Sequence, residues 1–514
     1  MTMSAQTMSR IDSLATLANG RAIERSAVPQ LPLDQFQQTI LDAVDYDCRV
    51  AALFGMNEAD SVRLYAVLAD DQQARLRLCS SVVSGNEFPS LTPRCPQVHL
   101  FEREIAEQFG LKAVGHPWFK PVRFHPSYRP GHNAFGDADR KPVIGVTDFY
   151  QVQGSEIHEV AVGPVHAGVI EPGHFRFQCH GEHVFHLEIS LGYQHRGVER
   201  AMIGGPNARS IHYAETLSGD TTIGHAITYC QVLEALTNCQ KSARAQTLRG
   251  IALEFERLAN HVGDLGALAN DVGFLPTASY CGRLRGDFLN MTATLCGSRF
   301  GRGMIRPGGV QFDVDATIVN DLLKRLENAE RDCTSAINLL WDTPSVMSRF
   351  EETGTVPPGI ARELGLVGVA ARAAGLQRDA RHDQPSGIFR FAHIPVSSAD
   401  SGDVFARAYV RWLEVQRSID FIREQLKALP SGPIRSDVNH IAPDQIAVAL
   451  NEGWRGEICH VAITDAQGRF ARYKVVDPSF HNWTGLAYAL RDQQISDFPL
   501  CNKSFNLSYC GHDL

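Results

Sequence analysis

None of the 12 cysteines in this 514-residue sequence belongs to a Cys-x-x-Cys pair; they are scattered singly from Cys48 to Cys510. Zinc and iron–sulfur sites need several thiolates converging on one point, so the spacing makes no local case for either. It reads instead as buried thiols of a reducing compartment. The sequence has no stretch near the roughly 20 apolar residues of a membrane-spanning helix. Its first 25 residues lack the apolar core of a secretory signal. An excess of positive charge is missing too. With 49 basic against 57 acidic residues and a net charge of −8, neither nucleic acid nor an anionic membrane surface is favoured as the main partner. Proteins are the expected partners. Internal repeats and low-complexity tracts are also absent, which excludes solenoids and arrays.

What is present has an order along the chain. Residues 1–30 are polar and small, and read as a flexible lead-in. Residues 31–120 carry short alternating runs, such as Val62 to Leu68 and Ala74 to Leu78, the period of half-buried strands in a small α+β domain. Residues 121–150 hold Pro121, Pro126, Pro130, Gly131, Gly136 and Pro142, too many breakers for regular structure, and mark a linker. From 151 to 514 helical patterns dominate. Ile251, Phe255, Leu258, Val262, Leu265, Ala269 and Val272 form one buried stripe that Gly273 ends. Further helices are predicted at about 315–341 and 403–429, and Ile458–Thr464 and Ala471–Val476 flank a turn as a hairpin in a small antiparallel sheet. The fold class is α+β.

Glu102-Arg103-Glu104-Ile105-Ala106-Glu107-Gln108-Phe109-Gly110, followed by Gly115-His116-Pro117, resembles the signature of the 30-kDa subunit of respiratory complex I. The rest of the chain is similar to the complex I 49-kDa subunit, and closer still to the large subunits of membrane-bound nickel–iron hydrogenases of the formate-hydrogenlyase and energy-converting type. The matching segments are Gly163-Pro164-Val165-His166, Glu171 to Phe177, Leu191 to Glu199, Glu256 to Asp264, Ile305 to Val310, Arg455-Gly456-Glu457 and Pro478 to Asn482. The resemblance implies a 30-kDa-like domain fused ahead of a mostly helical hydrogenase-large-subunit-like domain.

In those hydrogenases two Cys-x-x-Cys motifs hold nickel and iron, because soft thiolates suit these ions. Here the first motif is replaced by Glu215-Thr216-Leu217-Ser218-Gly219-Asp220-Thr221-Thr222-Ile223-Gly224-His225, with Ser218 and Thr221 at the ligand positions. In the register of the second, the ligand positions are Ser508 and Gly511, and Cys510 falls one residue off. Hydroxyls stay protonated near neutral pH and are poor ligands for soft ions, so a nickel–iron centre is not expected. The hydrogenase precursors carry a removable C-terminal extension, whereas this sequence stops at Leu514, consistent with a protein that receives no nickel.

The resemblance places His166 where complex I has the histidine that hydrogen-bonds the quinone headgroup; the residue pattern alone reads it as capping the turn after Gly163-Pro164. No tyrosine matches the family's quinone tyrosine, since Gly219 and Asp220 occupy that stretch. Glu215, Asp220 and His225 are the other candidate proton-carrying residues. His195, Arg196, Glu199, Arg306 and His481 are expected around the cavity, with His195, Arg196 and Glu199 read equally as a buried ion-pair network. Glu256, Arg257, His261 and Asp264 read as a polar ladder in which structural pairing comes before proton relay. The implied function is the large subunit of a membrane-associated oxidoreductase complex. It would hold no cofactor of its own and dock a small subunit carrying a 4Fe-4S cluster. It would pass electrons to a quinone-like acceptor, coupled to antiporter-like membrane subunits, from the cytoplasmic face of the inner membrane. The alternatives are a redox-silent coupling subunit and, third, an active hydrogenase.

Overall fold

The computed structural model describes residues 10–137, 142–166 and 170–514. The chain opens with two short strands, β1 (Ala15–Leu17) and β2 (Arg21–Glu24), before helix α1 (Leu33–Asp45), strands β3 (Arg49–Glu58), β4 (Ser61–Asp70) and β5 (Arg75–Val83), and helix α2 (His99–Phe109). β3, β4 and β5 make an antiparallel meander in which Val50, Val62, Leu64, Leu76 and Leu78 are buried. α2 ends on Gly110, whose φ of +65° is a left-handed stop that glycine adopts without strain.

The lead-in corrects the sequence reading. Residues 15–24, predicted to be flexible, form two strands: β1 pairs with β5, and β2 pairs with a strand more than 400 residues away. Both are three or four residues long, too short for the alternation rule to detect. The first nine residues of the predicted lead-in lie outside the described residues.

The segment 121–150 has no helix or strand among its described residues, but it does not hang free. Val122, Arg123 and Phe124 are buried, the backbone N–H groups of Arg123 and Phe124 donate to Glu107, and the Arg123 guanidinium pairs with Glu104 and donates to the carbonyl of His512. It threads a seam. Residues 138–141 lie outside the described residues.

Beyond it, β6 (Ile157–Val162), β7 (His174–His180) and β8 (His183–Ser190) form an antiparallel sheet, followed by the short helix α3 (Val198–Met202). The helical body comprises α4 (Thr222–Leu236), α5 (Ala243–Asp271), α6 (Leu275–Cys296), α7 (Ala316–Trp341) and α8 (Val404–Lys427). Their caps are local: Ser242, Asp315 and Asp403 each accept the backbone N–H three residues on, an arrangement worth about 1 kcal/mol per helix. α5 is central, packed between α6 and α8, with its apolar stripe buried.

The C-terminal strands β9 (Gln445–Glu452), β10 (Glu457–Thr464) and β11 (Phe470–Val476) join β2 in an antiparallel sheet of order β11-β10-β9-β2. Side-chain alternation splits this sheet between two cores. Ile446, Val448, Leu450, Cys459, Val461 and Ile463 face the N-terminal meander, and Ala447, Ala449, Ala462, Tyr473 and Val475 face the helices. Buried on both faces, the sheet holds the two parts of the chain together. Helix α9 (Pro478–Ala489) and the single-turn α10 (Tyr509–Asp513) complete the chain.

Candidate functional site

Two segments 290 residues apart meet at one point. Ser218, in the turn before α4, has its hydroxyl 2.9 Å from that of Ser508, the N-cap of α10, which also accepts from the backbone N–H of Gly511. Both hydroxyls are buried. Arg455, from the β9–β10 turn, anchors the cluster: it grips Asp220 with both terminal nitrogens (2.5 and 2.7 Å), reaches Ser218 (3.3 Å) and Thr221 (3.2 Å), and lies over the Trp454 ring. Burial alone would raise the Asp220 carboxyl, but the bidentate guanidinium and the two hydroxyls outweigh it and hold the group below its usual range.

Thr221 would ordinarily cap α4. Its hydroxyl is turned toward Asp220, so the task passes to Glu256 of α5, whose carboxyl accepts from the N–H groups of Ile223 (2.6 Å) and Gly224 (3.1 Å). Burial pushes Glu256 up to about 8 despite these two bonds, and the negative charge of Asp220 adds to the rise.

Below this cluster runs a buried chain of titratable groups. Tyr473 donates to Nδ1 of His460 (2.8 Å), Nε2 of His460 meets Nδ1 of His225 (3.1 Å), and Nε2 of His225 meets Asp477 (2.9 Å). A carboxylate only accepts, so Nε2 of His225 donates to Asp477, and each neutral imidazole can donate at one nitrogen and accept at the other. Burial pushes His460 well below its ordinary range, which keeps it neutral and able to accept from Tyr473. Asp477 touches the upper cluster twice: it accepts the N–H of Ser479, whose hydroxyl accepts the N–H of Ser508, and it packs against Gly511. The arrangement neutralises Arg455 against Asp220 and sets four titratable side chains at hydrogen-bond distance beneath the pair.

The predicted residues fall into three groups. Asp220, His225, Ser218, Thr221, Ser508 and Gly511 come together as described. His166 lies in the β6–β7 connection, with its Nε2 3.0 Å from the carbonyl of Gly173. Glu215, Arg196 and Arg306 shape the first segment from outside. Glu215 accepts from Arg306 and from the N–H of Gly303, and Arg196 donates to the carbonyls of Thr216, Leu217 and Cys510. The third group is elsewhere. Glu199 pairs with Lys474 and Arg472 of β11, His195 bonds the Asp513 carbonyl and stacks on His125, and His481 packs on Phe101 of α2. His195, Arg196 and Glu199 therefore point to three different partners.

The polar ladder also divides. Arg257 and His261 bond Glu414 of α8, and Asp264 pairs with Arg411, whereas Glu256 turns to α4. Sequence reasoning missed Arg455 as a site residue, although it lies in the quoted Arg-Gly-Glu segment, and missed His460, Tyr473 and Asp477. No spacing rule links residues on adjacent strands to a helix 230 positions earlier.

The donor set does not fit nickel and iron. Ser218 and Ser508 bond to each other, Arg455 donates to Ser218 and Thr221, a guanidinium beside the position opposes a cation, and Gly511 offers no side chain. Burial, reinforced by nearby Glu171, pushes the Cys510 thiol up to about 11, and it is a single sulfur where such a site needs several soft donors.

Residues 32–134 match the family model of the respiratory-chain NADH dehydrogenase 30-kDa subunit, and residues 271–451 that of the 49-kDa subunit. The chain is 31% identical over 350 residues to the carbon monoxide-induced hydrogenase of Rhodospirillum rubrum, covering 68% of this chain and 97% of that protein. It is 28% identical over 486 residues to formate hydrogenlyase subunit 5 of Escherichia coli (90% and 84%). It is 29% identical over 370 residues to NADH-quinone oxidoreductase subunit 4 of Thermus thermophilus (67% and 90%). Among the described residues no helix is long and apolar enough to cross a membrane.

Proposed function

We infer the function from the premise that this chain belongs to the family of complex I 49-kDa subunits and membrane-bound hydrogenase large subunits, with a 30-kDa-subunit domain fused ahead. It is a large subunit of that class. Within a peripheral, membrane-associated complex it receives electrons from a small iron–sulfur subunit and serves their transfer to a quinone-like acceptor, coupled to ion-translocating membrane subunits. It does so without nickel or iron of its own. Reduction of a quinone takes two electrons and two protons; the partner's cluster supplies the electrons, and the chain's own residues handle protons.

The observation that carries this reading is the buried hydrogen-bonded chain from Tyr473 through His460 and His225 to Asp477, ending beside Ser508 and Arg455. A core with only a structural role has no need of four buried titratable groups in series, because each is costly to desolvate.

The experiment compares Tyr473→Phe and Asp477→Asn in the assembled complex, with a reduced low-potential dye as donor and a short-chain quinone as acceptor. Both changes keep the side-chain shape. Turnover is expected to fall about 100-fold or more, the range for a lost positioned proton carrier, while gel filtration shows an intact complex. Wild-type turnover in both variants would overturn the proton-handling reading.

The second reading, a redox-silent coupling subunit, is favoured by a specific observation: the His166 ring is committed to the Gly173 carbonyl and Asp220 is locked against Arg455. It predicts that neither variant changes turnover.

A further inference from the structure

A cavity of about 170 Å³ lies at the seam where α2 and the irregular segment after it meet β8 and α9. Its size is comparable to that of an engineered apolar cavity of about 150 Å³ that takes up benzene. Aromatic surfaces form much of the wall: Trp118 stacks on His186 at 5.3 Å between centroids, and Trp483 lines it too.

Two polar atoms of this wall lack partners among the described residues. Trp483 is 3% exposed, and its indole N–H donates to nothing. Nε2 of His186 is likewise buried and unbonded. Arg103 donates to the carbonyls of Lys120 (2.7 Å) and Pro121 (2.8 Å), but no carboxylate pairs with it. Burial pushes its guanidinium down to about 10, more than the nearby carboxylates of Glu107 and Glu188 offset. Neighbouring Lys120 differs, because Glu188 neutralises it at 2.7 Å. An aromatic-walled space with a guanidinium that no carboxylate pairs and a free indole donor is complementary to a planar anion of one ring.

We propose that this seam cavity binds a small monocyclic aromatic carboxylate, the ring held between Trp118 and Trp483 and the carboxylate received by Arg103 with the Trp483 N–H as second donor. The site is separate from the Ser218–Ser508 cluster, although the Trp483 ring meets that of Tyr509 at 4.9 Å. Because the readout is binding, the proposal does not depend on the function proposed above.

The test titrates benzoate, with benzyl alcohol as its neutral counterpart, against the full-length chain purified with its partners, following tryptophan fluorescence and melting temperature. Saturable binding of benzoate is expected, with benzyl alcohol at least about tenfold weaker, since an ionic hydrogen bond is lost. Arg103→Gln should weaken benzoate by a similar factor, and Trp483→Phe by several-fold. Absence of saturable binding, or equal affinity for acid and alcohol, overturns the proposal. If Arg103→Gln does not fold, Trp483→Phe decides: unchanged benzoate affinity in that variant overturns it.

Discussion

Gly511 lies so close to Asp477 that a Cβ placed on it would stand 2.6 Å from the carboxylate carbon. Asp477 cannot readily retreat, because it holds His225 on one oxygen and the N–H of Ser479 on the other. Gly511→Cys, which puts back the residue type that a metal-binding relative would carry, is therefore expected to destabilise the chain by about 1–3 kcal/mol, the range for overpacking a filled site. A urea midpoint that falls with an unchanged slope is the check; an unchanged midpoint would show that the Asp477 contact can relax. Ser508 is different. It caps α10 and bonds Ser218, so the hydroxyl at that former ligand position now serves the fold. At this scale hydroxyls, a guanidinium and a carboxylate bond to one another at positions where the resembling hydrogenase motifs carry cysteine.

At the scale of elements, β2 has the largest consequence for its size. Its four residues pair with β9 from Gln445↔Glu24 to Val448↔Arg21, covering one edge of a sheet buried on both faces. Deleting residues 1–24 removes that cover and β1 as well, leaving backbone groups of β9 unpaired. The truncated chain is expected to melt several degrees lower and to aggregate, as measured by light scattering during a thermal ramp. A truncation with unchanged melting would restore the flexible lead-in that the composition suggested. The longer elements were legible because period carries the signal over many residues: the stripe from Ile251 to Val272 lies within α5 (Ala243–Asp271) and the residue after it, and the hairpin of 458–464 and 471–476 is β10 and β11. The site was legible only in part. Ser218, Thr221, Ser508 and Gly511 were found as replacements within motifs. His460 and Tyr473 sit as alternate residues on buried strands, where the sequence reads them as core. Arg455 shows the opposite failure, a noticed motif whose chemistry emerges only when the β9–β10 turn is laid against the start of α4.

For the whole molecule, buried titratable groups set the pH range of stability. Burial is the first cause that lowers His99 and His481 to about 3, and His116, His195 and His261 to about 4. The unfolded chain binds protons at these five sites below about pH 6.5 and the folded chain does not, so stability is lost as pH falls from there toward 4. Glu256, raised to about 8, and Glu452, raised to about 7, act in the opposite sense: the folded chain keeps their protons, and stability declines as pH rises from about 4.5 through those values. Five histidines against two carboxyls decide the acid side, and the carboxyls decide the alkaline side. The melting temperature is expected to peak near pH 6.5, falling steeply toward pH 4 and gently toward pH 8. A profile flat from pH 4.5 to 6.5 would contradict the burial of these histidines.

The account's central claim is that this large subunit works without a nickel–iron centre. The direct test is elemental analysis of the purified, assembled complex together with hydrogen uptake by the same sample. The geometry around Ser218, Ser508 and Arg455 predicts no nickel and no hydrogen uptake, with iron and sulfide present only in amounts that the partner subunits explain. About one nickel per chain, accompanied by hydrogen uptake, would contradict the account.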